Sequence, residues 1–167
     1  MLRIENFSRG KHSHLLDELT ALLHEAYRSL AESGLQYNAS HQDAAKTQRR
    51  LEKGWGFLGF LGEELVGTIT LIKDDPVDPA PYYLDPEIYH FSQFAVRIDL
   101  QRQGLGKKLL EHVEGFACEQ GARELALDTA EQATELQGYY QRLGYRHVGY
   151  ADYESTNYRS VVLSKVL

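Results

Sequence analysis

The stretch that most restricts how this chain can fold is Gln101-Arg102-Gln103-Gly104-Leu105-Gly106, which joins a strand-like run, His90 to Ile98, to a strongly helical run, Leu105 to Glu119. A helix start leaves its first backbone N–H groups unpaired and pointing outward, and Gly104 and Gly106 carry no side chain to keep an anion away from them. Arg102, Lys107 and Lys108 add positive charge at the same end. The segment reads as a cradle for a phosphate or pyrophosphate.

Two familiar phosphate loops do not fit. A dinucleotide fingerprint needs a third small residue three positions after Gly106, where this chain has Leu109. A Walker-type loop needs Gly at position 101 and Ser or Thr after Lys107, where the chain has Gln101 and Lys108. What remains is Gln/Arg-x-x-Gly-x-Gly, and the run from Phe94-Ala95-Val96 through Gly106 resembles the acetyl-CoA loop of the GCN5-related N-acetyltransferases (GNAT). Tyr139-Tyr140-Gln141-Arg142-Leu143-Gly144-Tyr145 is similar to the same family's second hallmark, and Leu125 to Thr129 supplies a short strand between the two. The resemblance covers roughly residues 55 to 167 in element order, and residues 94–106 and 139–145 in detail.

Patterning along the chain agrees with the fold this implies. Leu15, Leu16, Leu19, Leu22, Leu23, Tyr27 and Leu30 recur at helical spacing, so residues 14–32 are expected to form an amphipathic helix that ends at Gly34. Ser40-His41-Gln42-Asp43 reads as a capping box opening a second helix to about Lys53, with a thin apolar stripe. Residues 57–61 and 65–72 flank Gly62-Glu63-Glu64 as a β-hairpin. All four prolines, Pro76, Pro79, Pro81 and Pro86, fall between Asp74 and Glu87, which marks a long loop. A strand over 123–129, a helix over 133–143 and a hairpin of 145–153 with 158–166 complete the chain. Helices early, then strands interrupted by two single helices, indicate an α+β fold. The resemblance implies one GNAT domain over residues 1–167, a mixed, mostly antiparallel sheet flanked by helices.

Composition excludes several alternatives. At 167 residues and 43% hydrophobic content, one well-buried core is expected. A net charge of −6 argues against nucleic-acid binding, which needs a basic footprint. No apolar run reaches the roughly 18 residues that span a bilayer, and the N-terminus lacks an apolar leader, so a soluble, cytoplasmic protein with no membrane partner is expected. The single Cys118 rules out a disulfide framework, and the histidines show no metal-ligand spacing, so no metal is expected.

The resemblance implies acetyl-CoA as acetyl donor and an amine acceptor, small molecule or peptide. Phe94, Ala95 and Val96 would offer backbone groups to the pantetheine, while Gln101, Arg102, Gln103, Gly104, Leu105, Gly106 and Lys107 take the pyrophosphate. Tyr140 is the candidate general acid. A phenol with a reference pKa near 10 is protonated at neutral pH and can give its proton to a departing thiolate. It shares a helical face with Ala133, Leu136 and Leu143, from which Tyr139 points aside. Ala133 stands where many family members have Asn, and Leu136 where a small residue is usual.

For a general base the residues leave Asp128, His90 or a water chain open, since Ser92 and Gln93 stand where some relatives carry Glu. A cationic amine acceptor is expected between residues 34–40 and the proline-rich loop, met by Tyr37, Asn38, Tyr82, Tyr83 and Tyr89 with Asp74, Asp75, Asp78 and Asp85. A binding module that holds acyl-CoA without turnover, or an enzyme acetylating protein N-termini, fits the same residues. The edges of the terminal strands are candidates for pairing in a homodimer.

Overall fold

Two strands of this chain, Trp55–Leu61 and Glu64–Ile72, have almost no polar face, and strands buried on both sides must lie inside a sheet covered by helices above and below. The structure, a computed structural model, describes residues 1–74 and 80–167. Its sheet contains β1 (Leu2–Asn6), β2 (Trp55–Leu61), β3 (Glu64–Ile72), β4 (Ile88–Val96), β5 (Glu124–Ala130), β6 (Arg146–Asp152) and β7 (Arg159–Val166). The strands lie in the order β1-β2-β3-β4-β5-β7-β6, and only β4 and β5 are parallel. The mixed, mostly antiparallel α+β sheet is as expected.

Helices cover both faces: α1 (Arg9–His12), α2 (Leu16–Ala26), α3 (Arg28–Glu32), α4 (Ala44–Glu52), α5 (Leu105–Glu119) and α6 (Thr134–Arg142). On one face Leu109, Leu110, Val113 and Ala117 of α5 pack with Phe57, Ile69, Leu71, Phe91 and Leu125. On the other, Leu19, Leu22 and Leu23 of α2 and Leu51 of α4 meet Leu58, Phe60, Leu65 and Ala95.

The differences from sequence expectation have local causes. The helix expected over 14–32 is divided, with a 3-10 turn at Ser13–Leu15 and a break at Tyr27, whose backbone (φ −99°, ψ 5°) leaves the helical region. Ser40 does not cap α4. Asp43 does, its Oδ1 accepting the Lys46 N–H at 2.7 Å, while the Ser40 hydroxyl donates to the Tyr37 carbonyl. β1, a half-buried edge strand, carries too short a pattern to have been expected. Of the terminal hairpin, β7 lies between β5 and β6, so only β6 offers an edge for a second copy.

One irregularity shapes the centre of the sheet. Thr70 pairs with Ser92 but Thr68 with Ala95, so β4 carries one extra residue, a β-bulge, and Gln93 there adopts φ 49°. The bulge changes the parity of the strand. Phe91 and Phe94 both reach the α5 core, while Gln93 is buried against Gln42 and Thr47 on the α4 side. The ladder between β4 and β5 covers only Ile88, Tyr89 and His90, paired with Glu124, Leu125 and Ala126. Beyond it the two parallel strands separate.

Gly54 lets the connection from α4 into β2 pass against the backbone of β3. A Cβ there would overlap the Leu71 carbonyl oxygen and stand 3.1 Å from Ile72 Cα, and backbone cannot move aside as a flexible side chain can. Gly54→Ala is therefore expected to cost about 1–3 kcal/mol. That corresponds to a fall in Tm of roughly 2–4 °C for each kcal/mol, read by calorimetry, and an unchanged Tm would contradict the close approach.

Candidate active site

Where β4 and β5 part, a cleft of about 1790 Å³ runs from the start of α5 to the loop joining β6 and β7. At the α5 end, Gly104 (φ 80°) caps the helix from the left-handed region and Arg102 (φ 63°) shares that geometry. The first bond within α5 runs from the Lys108 N–H to the Gly104 carbonyl at 3.1 Å. The N–H groups of residues 105–107 thus precede the helix's own ladder, as a helix start requires. Gly106 lies between the cleft and its walls: a Cβ there would come within 3.4 Å of Phe94 Cζ and Tyr139 Oη.

The loop residues divide by role. Gln101, Arg102, Gly104, Gly106 and Lys107 line the cleft, whereas Leu105 is buried in the core and the Gln103 amide bonds back to the Asp99 carbonyl. Gln101 Nε2 donates to the Val96 carbonyl at 3.1 Å, which ties the loop to the strand. Phe94, Ala95 and Val96 line the cleft, but the Phe94 carbonyl already accepts from the Tyr27 hydroxyl at 3.0 Å.

Tyr140 lies buried in the middle of the cleft wall, with Phe91, Phe94 and Tyr145 around its ring. Burial pushes its hydroxyl pKa well up, so it remains protonated far above neutrality. Tyr139, expected to point aside, also lines the cleft, because the helix turns its flank toward Gly106.

Past Tyr140 the cleft reaches the α2 and α4 side of the sheet, where His90 and Asp128 meet through a tyrosine. Tyr83 donates to Asp128 Oδ2 at 2.8 Å, and its ring stacks on His90 with centroids 4.0 Å apart and planes 1° from parallel. Tyr153 donates to the same carboxylate oxygen at 3.1 Å. His90 is buried. Tyr27, its pKa pushed up to about 12 chiefly by burial, lines the cleft with Tyr37 and Tyr158.

The expected acceptor residues are only partly assembled. Tyr37 and Asn38 line the cleft, with Asn38 bonded to Lys46 and Ser155. Tyr83 and Tyr82 stand behind it, the Tyr82 hydroxyl donating to Glu124 at 2.6 Å. Tyr89 faces α5, bonded to the Gln120 carbonyl. Asp85 is paired with Arg123 at 2.8 Å and Asp74 is exposed, while Asp75 and Asp78 lie outside the described residues. Opposite residues 34–38 stands the β6–β7 loop, with Asn157 bonded to the Gly34 carbonyl and the Gln36 N–H. That loop, with Tyr27 and Arg50, was missed. The only signal was the thin apolar stripe of α4, whose buried side chains include the polar Thr47.

The sequence matches the acetyltransferase (GNAT) family over residues 16–145. It is 26% identical to the S-(2-succino)cysteine N-acetyltransferase of Bacillus subtilis (strain 168) over 138 residues, 81% of this chain and 81% of that one. With N-acetyltransferase 8B of Homo sapiens it shares 33% identity over 87 residues, 52% of this chain and 36% of that protein. Among solved structures, a Bacillus subtilis acetyltransferase in complex with CoA covers 100% of this chain and 99% of its own, at TM-score 0.69 and 22% identity. The PaiA N-acetyltransferase of Thermoplasma acidophilum in complex with coenzyme A does the same at TM-score 0.72 and 14% identity. Both have the fold described above. Among the described residues no helix is long and apolar enough to cross a membrane, and no three His, Cys, Asp or Glu are grouped to hold a metal.

Tyr37 has a task within the protein itself. Its hydroxyl bonds Thr129 Oγ1 at 2.8 Å and accepts the Ala130 N–H at 3.1 Å, holding the end of β5 where it has left β4. Tyr37→Phe leaves both buried groups unpaired and is expected to lower stability by about 1–3 kcal/mol. Denaturant melts decide this, since a contact made only with substrate would leave the midpoint unchanged.

Proposed function

The chain belongs to the GNAT acetyltransferase family, and on that premise we propose that it transfers the acetyl group of acetyl-CoA to a primary amine by direct attack on the thioester. The observation that carries this reading is the β4–β5 separation, which opens at one end onto a helix start with no side-chain cap and at its middle onto Tyr140. A pyrophosphate suits the N–H groups of residues 105–107 with Arg102 and Lys107 beside them. The pantetheine arm would then follow the edge of β4 from Val96 toward Phe94, the edge that the short ladder leaves without a strand partner. The names of the two curated relatives, both N-acetyltransferases, support the reaction class.

In the reaction, the amine nitrogen's lone pair attacks the thioester carbonyl carbon, the C–S bond breaks, and the thiolate takes a proton from the Tyr140 hydroxyl. The amine's own proton leaves toward Asp128 or His90, directly or through water. Burial raises the Tyr140 pKa, and the same low-dielectric site strengthens the thiolate's hold on a proton, so the transfer keeps its driving force. Of the acidic residues expected to attract a polycation, the described Asp85 is paired with Arg123 and neither it nor Asp74 lines the cleft, so the acceptor is defined here by its amine.

Two measurements test this reading. Calorimetric titration with acetyl-CoA should give at least tenfold weaker binding for Gly106→Val than for wild type, because the added side chain occupies the space between Phe94, Tyr139 and the cleft. Equal affinity in the folded variant would remove the loop from the binding site. Steady-state assays of CoA release should show kcat at least tenfold lower for Tyr140→Phe, as expected for loss of a proton donor worth roughly 10²- to 10⁴-fold. Because its pKa is raised, the wild-type rate should show no alkaline fall from loss of this acid up to about pH 10, the reference phenol value. An unchanged kcat in Tyr140→Phe, with chemistry rate-limiting, would make Tyr140 a core residue only.

A further inference from the structure

Helix α4 turns a guanidinium into the cleft from the face of the sheet opposite the α5 loop. Arg50 is half-buried and lines the cleft. Among the described residues it makes one hydrogen bond, from Nη1 to the neutral Gln42 Oε1 at 2.7 Å, and no carboxylate approaches within 4.0 Å. Gln42 is itself fixed, its amide donating to Thr47 Oγ1 at 2.9 Å and Gln93 Oε1 at 2.5 Å. Arg50 is thus a positioned side chain. Burial lowers its pKa, opposed by the charge of Asp128 and the hydroxyls of Tyr27 and Tyr158.

A partly desolvated cation is normally paired, since leaving water costs it more than a neutral amide returns. A guanidinium presents five N–H donors in a planar fork that matches a carboxylate. Here one donor is satisfied within the protein and the rest border a ligand cleft. The anion they suit does not come from the acetyl donor's pyrophosphate, which the loop at Gly104 would hold on the α5 side. Leu51, the next residue of α4, packs with Leu19, Leu23 and Leu58 on the other side. Asp128, held by the hydroxyls of Tyr83 and Tyr153, shares Arg50's end of the cleft and offers the complementary charge for an ammonium group. The exposed Lys53 and Glu154 stand at the same end.

We infer that the acceptor is an amino carboxylate: its carboxylate is held by Arg50, and its amine is directed past Asp128 toward the acetyl donor. This rests on the acetyltransferase reading above and names the substrate class of that site. Arg50 is a specificity residue in this scheme, remote from the acetyl transfer itself.

The test is a CoA-release assay with matched pairs of amines, α- and ω-amino acids and dipeptides against their amides, with a polyamine alongside. Wild-type protein should turn over the acid of at least one pair with kcat/KM tenfold or more above its amide. Arg50→Gln should raise KM for that acid at least tenfold, leave the amide's KM and the acetyl-CoA affinity unchanged, and so abolish the preference. Arg50→Lys should restore part of it. Equal turnover of acids and amides, preference for amides or the polyamine, turnover of no panel member, or a preference that survives Arg50→Gln overturns the inference. The wild-type comparison decides alone should Arg50→Gln not fold. CoA release with amides or polyamines refutes the carboxylate site and leaves the acetyltransferase standing, whereas failure to bind acetyl-CoA removes the acetyltransferase reading itself.

Discussion

The bulge at Gln93 is the constraint on which the rest of the site depends. A parallel pair such as β4 and β5 would ordinarily continue its ladder, closing the sheet over the space now open as a cleft. One extra residue in β4 bends the strand away after His90. Holding Gln93 at φ 49° costs a non-glycine residue about 1–2 kcal/mol. The buried amide of Gln42, bonded to Gln93 and also to Thr47, offsets that cost from helix α4. Gln42 also receives the bond from Arg50, so the distortion that opens the donor groove and the side chain on its far wall share one hydrogen-bonded support.

Tyrosine hydroxyls line the cleft beside its charged groups. Tyr27, Tyr37, Tyr140 and Tyr158 all have raised pKa values, in each case first through burial, so all four remain neutral donors at physiological pH. Two further tyrosine hydroxyls, of Tyr83 and Tyr153, donate to the Asp128 carboxylate. Under the proposed reaction Asp128 would stand as a proton acceptor, and Tyr140, whose pKa burial raises, as the acid that stays protonated.

What the sequence made legible is what short segments decide by themselves. The glycine loop, α5 over Leu105–Glu119 and the β2–β3 hairpin depend on residues a few positions apart, and each was found where its pattern placed it. Failures came where a distant partner decided the outcome. The acidic residues near the prolines read as one cluster, yet Asp85 is taken by Arg123 across the sheet. Tyr82 and Tyr83 are adjacent in sequence, and their hydroxyls reach Glu124 and Asp128 respectively, both on β5. His90 was open as a candidate base, and nothing in its own neighbourhood announces the ring of Tyr83 stacked on it.

The same distinction separates the two halves of the reaction. In the proposed reaction the acetyl donor would meet backbone: N–H groups at one helix start and the edge of one strand, all within residues 94–107. Backbone recognition needs glycines and a bulge more than particular side chains, which is why it leaves a motif that a single sequence can display. The proposed acceptor end would draw on side chains of five separate segments that line the cleft, around Tyr27, Tyr37, Arg50, Asp128 and the β6–β7 loop. Tyr27 also bonds the Phe94 carbonyl and Tyr37 the end of β5, so these two brace the strands beside the cleft as well. Because side chains from separate segments leave no such local motif, the acceptor's chemistry has to be read from the charges that the assembled cleft presents.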